Sequence, residues 1–248
     1  NFIYMPTAQM LKIPFPNFYK VGMTETKNDG NPNCNDNFLA KNLHCEAKCG
    51  IIMKKGGRAM VYIYLTENDP ARTTNEKIVE LAKYHLSRLR MTLESEDAFE
   101  IGRLERGKPY FSNMLDVHFS VSHSDDVFAF AIADVPVGID VQKIRKRPDE
   151  EDRCRRIARR FFHPEEIANM EGENDGTSFY TGVVSTFYKI WCGKEAYVKL
   201  SGKGIDGDFS EFSVYSSDKD VWWSDYGEYA VAFCTDEYSC AEVVKYFK

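Results

Sequence analysis

Val137-Gly138-Ile139-Asp140-Val141-Gln142 decides the fold of this chain, together with Trp191-Cys192-Gly193-Lys194-Glu195-Ala196-Tyr197-Val198-Lys199. The first stretch is mostly apolar and predicts a buried strand that carries a carboxylate near its end. The second predicts a helix in which Glu195 and Lys199 share one face, because they are four residues apart, while Lys194 points to another side. Such a pair of segments could hold a hard divalent cation and a phosphate together, since Mg²⁺ is usually bound through one or two carboxylates and substrate phosphates. Spacing alone favours a plainer interpretation, in which Asp140 caps a turn and Glu195 with Lys199 forms a surface ion pair.

Further motifs flank these two segments in a fixed order. In that order and with these spacings, the chain resembles the 4'-phosphopantetheinyl transferases of the surfactin type, over roughly Arg58 to Lys248. The supporting motifs are Gly107-Lys108-Pro109, Phe119-Ser120-Val121-Ser122-His123-Ser124, Arg160-Phe161-Phe162, Gly202-Lys203-Gly204 and the run from Phe209 to Val214. A single Gly-Lys-Pro would carry no weight, whereas several segments in the family's order are a strong signal.

The resemblance implies an α+β fold, a pseudo-dimer of two similar halves with the active site between them. We expect an N-terminal extension over 1–57, a first half over 58–134 and a second half over 135–248 that carries the metal and catalytic motifs. The extension is rich in Pro and Asn, which indicates turns and loop rather than long elements.

Residue patterns predict strands and helices that alternate along the chain. The helix from Asn75 to Leu89 places apolar residues and His85 on one face, and His85 is interpreted as a core residue. Strands are predicted over Ala59–Leu65, His118–Ser122, Val127–Ala133 and from Pro136 into Asp140, helices over Arg153–Phe162 and Phe187–Leu200, a loop at Gly202, Gly204 and Gly207, and three short strands between Phe209 and Phe247.

The activity implied by the resemblance is transfer of the 4'-phosphopantetheine arm of coenzyme A to a serine of a carrier protein, with Mg²⁺ and release of 3',5'-ADP. The resemblance makes Asp140, Glu195 and Lys199 the catalytic residues. Asp140 and Glu195 become the metal ligands, and Gln142 stands where many relatives carry a third acidic ligand. An amide oxygen or a water can complete a Mg²⁺ site without adding charge.

The same resemblance assigns the coenzyme A-binding residues. They are Lys108, Pro109, Ser122, His123, Lys194 and Lys199, with Arg72 as the nearest candidate for the 3'-phosphate. Gln142 also leaves open an alternative function, a coenzyme A or carrier-protein binding module with weakened catalysis. The presence of Asp140, Glu195 and Lys199 counts against that alternative.

Composition excludes several other classes of protein. The net charge of −6 disfavours wholesale nucleic-acid binding, and no apolar run approaches the 18 residues typical of a membrane span. The N-terminal residues lack the pattern of a signal peptide.

The seven scattered cysteines indicate reduced thiols and a cytoplasmic location. His44 with Cys34, Cys45 and Cys49 is a weak zinc candidate, because the spacing matches no common zinc pattern; Cys192 is interpreted as a core thiol.

A basic segment follows the Asp140 strand. Residues 143–160 contain nine Lys or Arg and four Asp or Glu in an otherwise acidic chain. Because carrier proteins of this kind are typically acidic around the modified serine, we expect one to dock near Arg153, Arg156 and Arg159. The alternative is a solvated helix whose arginines pair with neighbouring acids, for instance Asp152 with Arg156. We further expect a monomer that acts on carriers of secondary metabolism.

Overall fold

The computed structural model describes residues 19–20, 59–89, 99–114, 116–172, 182–202, 209–236 and 239–245. Four layers stack in the order helix, sheet, sheet, helices. The expected α+β class is therefore confirmed. The zinc candidate and the glycines at 204 and 207 lie outside the described residues.

Ten strands and four helices make up this part of the chain, with a short 3-10 turn at Phe209–Glu211. The strands are β1 (Tyr19–Lys20), β2 (Ala59–Glu67), β3 (Ile101–Arg103), β4 (Pro109–Phe111), β5 (His118–Ser124), β6 (Val127–Ala133), β7 (Val137–Lys143), β8 (Asp220–Tyr226), β9 (Tyr229–Thr235) and β10 (Ser239–Lys245). The helices are α1 (Thr74–Arg88), α2 (Glu150–Phe161), α3 (Pro164–Gly172) and α4 (Val183–Ser201). All predicted strands and helices are confirmed; β1, the β3–β4 hairpin and α3 were not predicted.

Two four-stranded sheets carry the fold, in the orders β10-β2-β6-β5 and β1-β8-β9-β7. Three strands of each sheet repeat one arrangement. In β2-β6-β5 and in β7-β9-β8, the strand that comes last in sequence lies between the other two. The fourth strand comes from the opposite end of the chain: β10 pairs in parallel with β2, and β1 pairs with β8. The division at residue 134 stays a prediction, and both sheets include a strand from beyond it.

Strands β2 and β6 are buried on both faces, which explains their continuous apolar sequence. Along β2, Tyr62 and Tyr64 pack toward α1. The alternate residues Val61, Ile63 and Leu65 pack toward the second sheet. His85 is fully buried, and its Nδ1 lies 2.6 Å from the Tyr64 hydroxyl. His85 is therefore a core residue, as expected.

Helix α4 lies unusually close to β7, and Gly138 makes this possible. A Cβ atom at position 138 would lie 1.9 Å from the Ala196 carbonyl oxygen and 2.6 Å from the Leu200 nitrogen. Only glycine can therefore occupy the strand position that faces this turn of the helix. The close approach carries the helix face with Glu195 and Lys199 onto the strand that carries Asp140.

Among the described residues, no helix combines the length and apolar character that crossing a membrane requires.

Candidate active site

A row of serines joins the two sheets beside the predicted centre. Strands β5 and β7 belong to different sheets, and alternate β5 serines accept hydrogen bonds from alternate β7 backbone N–H groups. The bonds run from Ile139 N to Ser120 Oγ at 3.2 Å, from Val141 N to Ser122 Oγ at 3.3 Å and from Lys143 N to Ser124 Oγ at 3.0 Å. We call these three bonds the serine seam. Ser120 and Ser124 were not predicted as functional residues, although their period of two in β5 is visible in the sequence.

Asp140 is the residue on which the site converges. Its side chain is 2 % exposed, and the Lys199 ammonium donates to Oδ1 at 2.7 Å. The Ser122 hydroxyl donates to the same oxygen at 2.7 Å, and Lys199 Nζ also lies 3.0 Å from Ser122 Oγ. The structure therefore brings Asp140, Ser122 and Lys199 together across both sheets and α4. Asp140 does not cap a turn, so the plainer interpretation of this residue is wrong.

Glu195 lies one helical turn from Lys199, on the helix face that meets β7. Burial raises the pKa of Glu195, the nearby Asp140 carboxylate raises it further, and the Lys199 ammonium lowers it less. A second carboxylate is thus held close enough to Asp140 and to the Lys199 ammonium to interact with both charges. An acid with a raised pKa, held beside a buried carboxylate, marks a candidate functional site.

Gln142 and Cys192 border the same centre. Gln142 Nε2 donates to Asp140 Oδ2 at 3.0 Å, so the amide lies within reach of the carboxylate that it was expected to assist. Cys192 is fully buried and its Sγ donates to the Ala230 carbonyl at 3.4 Å. Burial also raises the pKa of the Cys192 thiol, which suits a core thiol better than a nucleophile.

Lys194 lies apart from this centre. Its ammonium pairs with Glu166 at 2.9 Å, both side chains are 0 % exposed, and it donates to the Phe209 and Phe212 carbonyls at 2.6 Å each. The structure thus places Lys194 in a buried network between α3, α4 and the 3-10 turn, away from the predicted coenzyme A site. Its partner Glu166 was not predicted, and nothing in the local pattern of α3 distinguishes it from a solvated glutamate.

Lys108 joins the β3–β4 hairpin to the second sheet. Its ammonium donates to the carbonyl of Leu200 at 2.8 Å, near the end of α4, and to the carbonyl of Val137 at 3.2 Å. Burial lowers the pKa of Lys108 to about 8. Pro109, the next residue, is buried at the start of β4. Lys108 thus satisfies the Leu200 carbonyl, which the helix end leaves without a partner, and a carbonyl at the start of β7.

His123 and Arg72 occupy two further positions. His123 is exposed near the end of β5, one residue after Ser122 and therefore on the opposite strand face. Arg72 forms an ion pair with Glu80 and donates to the Glu76 carbonyl at the start of α1. The structure shows no contact between Arg72 and the Asp140 centre.

The donor atoms at the centre fit a magnesium ion. Asp140, Glu195 and Gln142 offer carboxylate and amide oxygens, which are the ligands that this hard cation takes. Burial and Asp140 both disfavour a charged Glu195, and a cation would offset that effect. Within the described ranges no group of three or more His, Cys, Asp or Glu side chains could hold a metal, so the third protein ligand here would be the neutral Gln142.

Comparisons with known proteins support the expected resemblance. Residues 136–243 match the model of the 4'-phosphopantetheinyl transferase superfamily. This segment contains Asp140, Gln142, Glu195 and Lys199. The match is narrower than the range expected from the motifs and does not reach Lys108, Ser122 or His123.

Curated relatives carry the same description. The chain is 36% identical over 118 residues to a 4'-phosphopantetheinyl transferase of Bacillus subtilis, covering 47% of each chain. It is 32% identical over 112 residues to 4'-phosphopantetheinyl transferase Sfp of Bacillus subtilis strain 168, covering 44% of each. It is 37% identical over 99 residues to 4'-phosphopantetheinyl transferase AcpT of Salmonella typhi, covering 40% of this chain and 47% of AcpT. The matches thus span less than half the length of each of these relatives.

The raised pKa of Glu195 predicts a specific dependence of stability on pH. Because the folded protein binds this proton more tightly than the unfolded chain, stability falls as pH rises from the ordinary value of 4.5 through the raised pKa. Glu195→Gln cannot ionise, so it should melt about 2 °C or more above the wild type at pH 7 to 8. The difference should shrink toward zero near pH 4.5 in a series of melting curves.

Glu211→Gln is the control, because Glu211 is an exposed glutamate in the 3-10 turn. A difference between Glu195→Gln and wild type that stayed constant across this pH range would contradict the unfavourable ionisation of Glu195.

Proposed function

We propose that the protein transfers the 4'-phosphopantetheine arm of coenzyme A to a serine of a carrier protein and releases 3',5'-ADP. The observation that carries the proposal is the convergence of Asp140, Lys199 and Ser122, with Glu195 beside them. Three of these four residues lie in the segment that matches the transferase superfamily. The repeated strand plan of the two sheets supports the further expectation of a pseudo-dimer.

The proposed reaction forms one bond and breaks another at the same phosphorus atom. The carrier serine oxygen attacks the β-phosphorus of coenzyme A, and the bond from that phosphorus to the bridging oxygen breaks, so that oxygen leaves with 3',5'-ADP. The serine proton passes to Glu195. A raised pKa suits this role, because a carboxylate that holds its proton more tightly is the stronger base.

Charge on the pyrophosphate is the main obstacle in such a transfer. The Lys199 side chain is 30% exposed, so its ammonium can contact a bound phosphate while it remains beside Asp140. Magnesium held by Asp140, Glu195 and Gln142 would supply further neutralisation of the phosphate oxygens. Asp140 accepts hydrogen bonds from Ser122 and from Lys199. The bond from Lys199 would hold α4, and with it Glu195, in place against β7.

The nucleotide end of coenzyme A would lie along the end of β5. His123 is exposed there and can donate to a phosphate, and Ser122 lies next to it. Lys108 would contribute chiefly by holding the end of α4, since its ammonium already donates to two carbonyls. Lys194 has no part in this proposal, because its ammonium is buried against Glu166.

A second candidate function rests on Gln142. A binding module with weakened catalysis would keep coenzyme A or the carrier but lack the charge of a third acidic ligand. Gln142 lies at the centre and contacts Asp140, so its neutrality bears directly on metal affinity. Retention of Asp140, Glu195 and Lys199 in one cluster favours the active transferase.

The direct test incubates the protein with coenzyme A, Mg²⁺ and an apo-carrier protein and follows the mass of the carrier. Wild type should add the phosphopantetheine arm, and Asp140→Asn should lower the turnover by about a hundredfold or more, the cost typical of removing one electrostatic group from an active site. Asp149→Asn is the matched control, because Asp149 is exposed and makes no capping hydrogen bond. Gln142→Glu should reach full rate at a lower Mg²⁺ concentration.

Coenzyme A binding without any mass gain would favour the binding module over the transferase. Near-native turnover of Asp140→Asn would remove Asp140 from the reaction.

Carrier docking is proposed on the exposed face of α2. Arg153 pairs with Glu150, and Arg155 pairs with Glu151 and with Glu171. The alternative of a helix whose arginines pair with neighbouring acids therefore holds for Arg153 and Arg155. By contrast, within the described part of the chain Arg156 and Arg159 are exposed and form no ion pair, so the Asp152–Arg156 pair is not seen there. Two exposed positive charges on one helix suit an acidic carrier. We also propose a monomer in the cytoplasm that serves carriers of secondary metabolism.

Reversal of these charges tests the docking surface. Arg156→Glu with Arg159→Glu should raise the Michaelis constant for an acidic carrier, leave that for coenzyme A unchanged and flatten the salt dependence of the rate, because exposed charges act mainly on association. Lys83→Glu, an exposed lysine on α1, is the control. Carrier kinetics of the double variant that match those of Lys83→Glu would contradict docking on α2.

A further inference from the structure

The turn between β5 and β6 has an unusual backbone conformation. Asp125, its first residue, has φ of +47°, and it is the one non-glycine residue with positive φ in the described ranges. This left-handed region is unfavourable for side-chain-bearing residues, although Asp tolerates it better than most. A residue held in such a conformation indicates that its surroundings determine the backbone there.

Contacts from both sheets fix this turn. The Asp125 carboxylate accepts two hydrogen bonds from the Arg145 guanidinium, at 2.6 and 2.8 Å, and lies 3.4 Å from Lys143 Nζ. Asn68, which follows β2, donates its side-chain amide to the Asp125 carbonyl at 2.8 Å. The neighbouring Asp126 accepts from the Tyr229 hydroxyl at 2.6 Å. The Arg145 contact is bidentate, the geometry that fixes orientation best.

The turn lies where two parts of the proposed site meet. One residue, Ser124, separates the turn from His123 on β5, and one residue, Ile144, separates Arg145 from the end of β7, which carries Asp140. The last bond of the serine seam, from Lys143 to Ser124, lies between the site and the ion pair. Arg145 therefore connects the residue expected to contact the nucleotide phosphates with the strand that carries the catalytic acid.

We propose that Arg145 is a positioning residue for coenzyme A, which acts by holding Asp125 in its left-handed conformation and thereby fixing His123. This inference rests on the proposed function. The side chains of Arg145 and Asp125 are 38% and 33% exposed, and exposed ion pairs contribute little to stability. Loss of Arg145 should therefore move His123 without unfolding the protein.

Two substitutions that each remove one positive charge distinguish an effect of the position of the residue from an effect of net charge. Arg145→Gln should raise the Michaelis constant for coenzyme A about tenfold, which is less than the hundredfold that a misplacement of ~1 Å can cost. Its kcat and its melting temperature should stay close to those of wild type. Lys146→Gln is the matched control, because the 75% exposed Lys146 pairs with Glu228 and not with the turn. Its constant for coenzyme A should equal that of wild type, and Arg145→Lys should fall between Arg145→Gln and wild type.

The backbone part of the proposal has its own comparison at position 125. Asp125→Gly and Asp125→Ala both remove the carboxylate, but only glycine adopts φ of +47° without strain. Asp125→Gly should therefore raise the constant for coenzyme A less than Asp125→Ala does.

The outcomes separate failure of this inference from failure of the proposed function. A wild type that transfers no arm would overturn the function, and the inference with it. An active wild type with equal constants for Arg145→Gln and Lys146→Gln would overturn the inference alone. Equal constants for Asp125→Gly and Asp125→Ala would also overturn it.

Discussion

Serine hydroxyls join the two sheets at the place where ordinary strand pairing would use backbone carbonyls. Each bond of the serine seam satisfies a β7 N–H group. The N–H groups of Ile139 and Val141 would otherwise be buried without an acceptor, a loss of about 1–3 kcal/mol per group. Because β5 and β7 are the neighbouring edges of different sheets, the seam fixes how the sheets meet. The position of every residue in the candidate site follows from that relation.

Asp140 shows why the site needs this arrangement. A buried carboxylate is costly unless it is paired and hydrogen-bonded, and Asp140 receives Ser122 from one sheet and Lys199 from α4. Gly138 permits the close approach of that helix. Burial raises the pKa of Glu195 and the neighbouring Asp140 carboxylate raises it further, which suits Glu195 to accept a proton. The way in which α4 meets the two sheets thus accounts both for the buried Asp140 carboxylate and for the raised pKa of Glu195.

The sequence predicts the elements well because β2 and β6 are buried on both faces and α1 has a clean apolar face. Helical spacing correctly placed Glu195 and Lys199 on one face and Lys194 on another. It could not show that Lys194 pairs with Glu166, since that contact joins separate helices. The Arg145–Asp125 pair depends likewise on the meeting of two sheets. The serines of β5 were visible as a pattern, but their partners are backbone groups that no sequence motif marks.

Ser122 is the residue that belongs to both the serine seam and the catalytic centre, so comparison with Ser120 tests this account most directly. Ser120→Ala and Ser122→Ala each leave one buried β7 N–H without its acceptor, and each should lower the free energy of unfolding by about 1–3 kcal/mol. Only Ser122 also donates to Asp140. The transfer rate per folded molecule should therefore fall about tenfold more in Ser122→Ala, a share of the ~10²–10³-fold that one direct transition-state contact contributes. Equal transfer rates in the two variants would contradict the account.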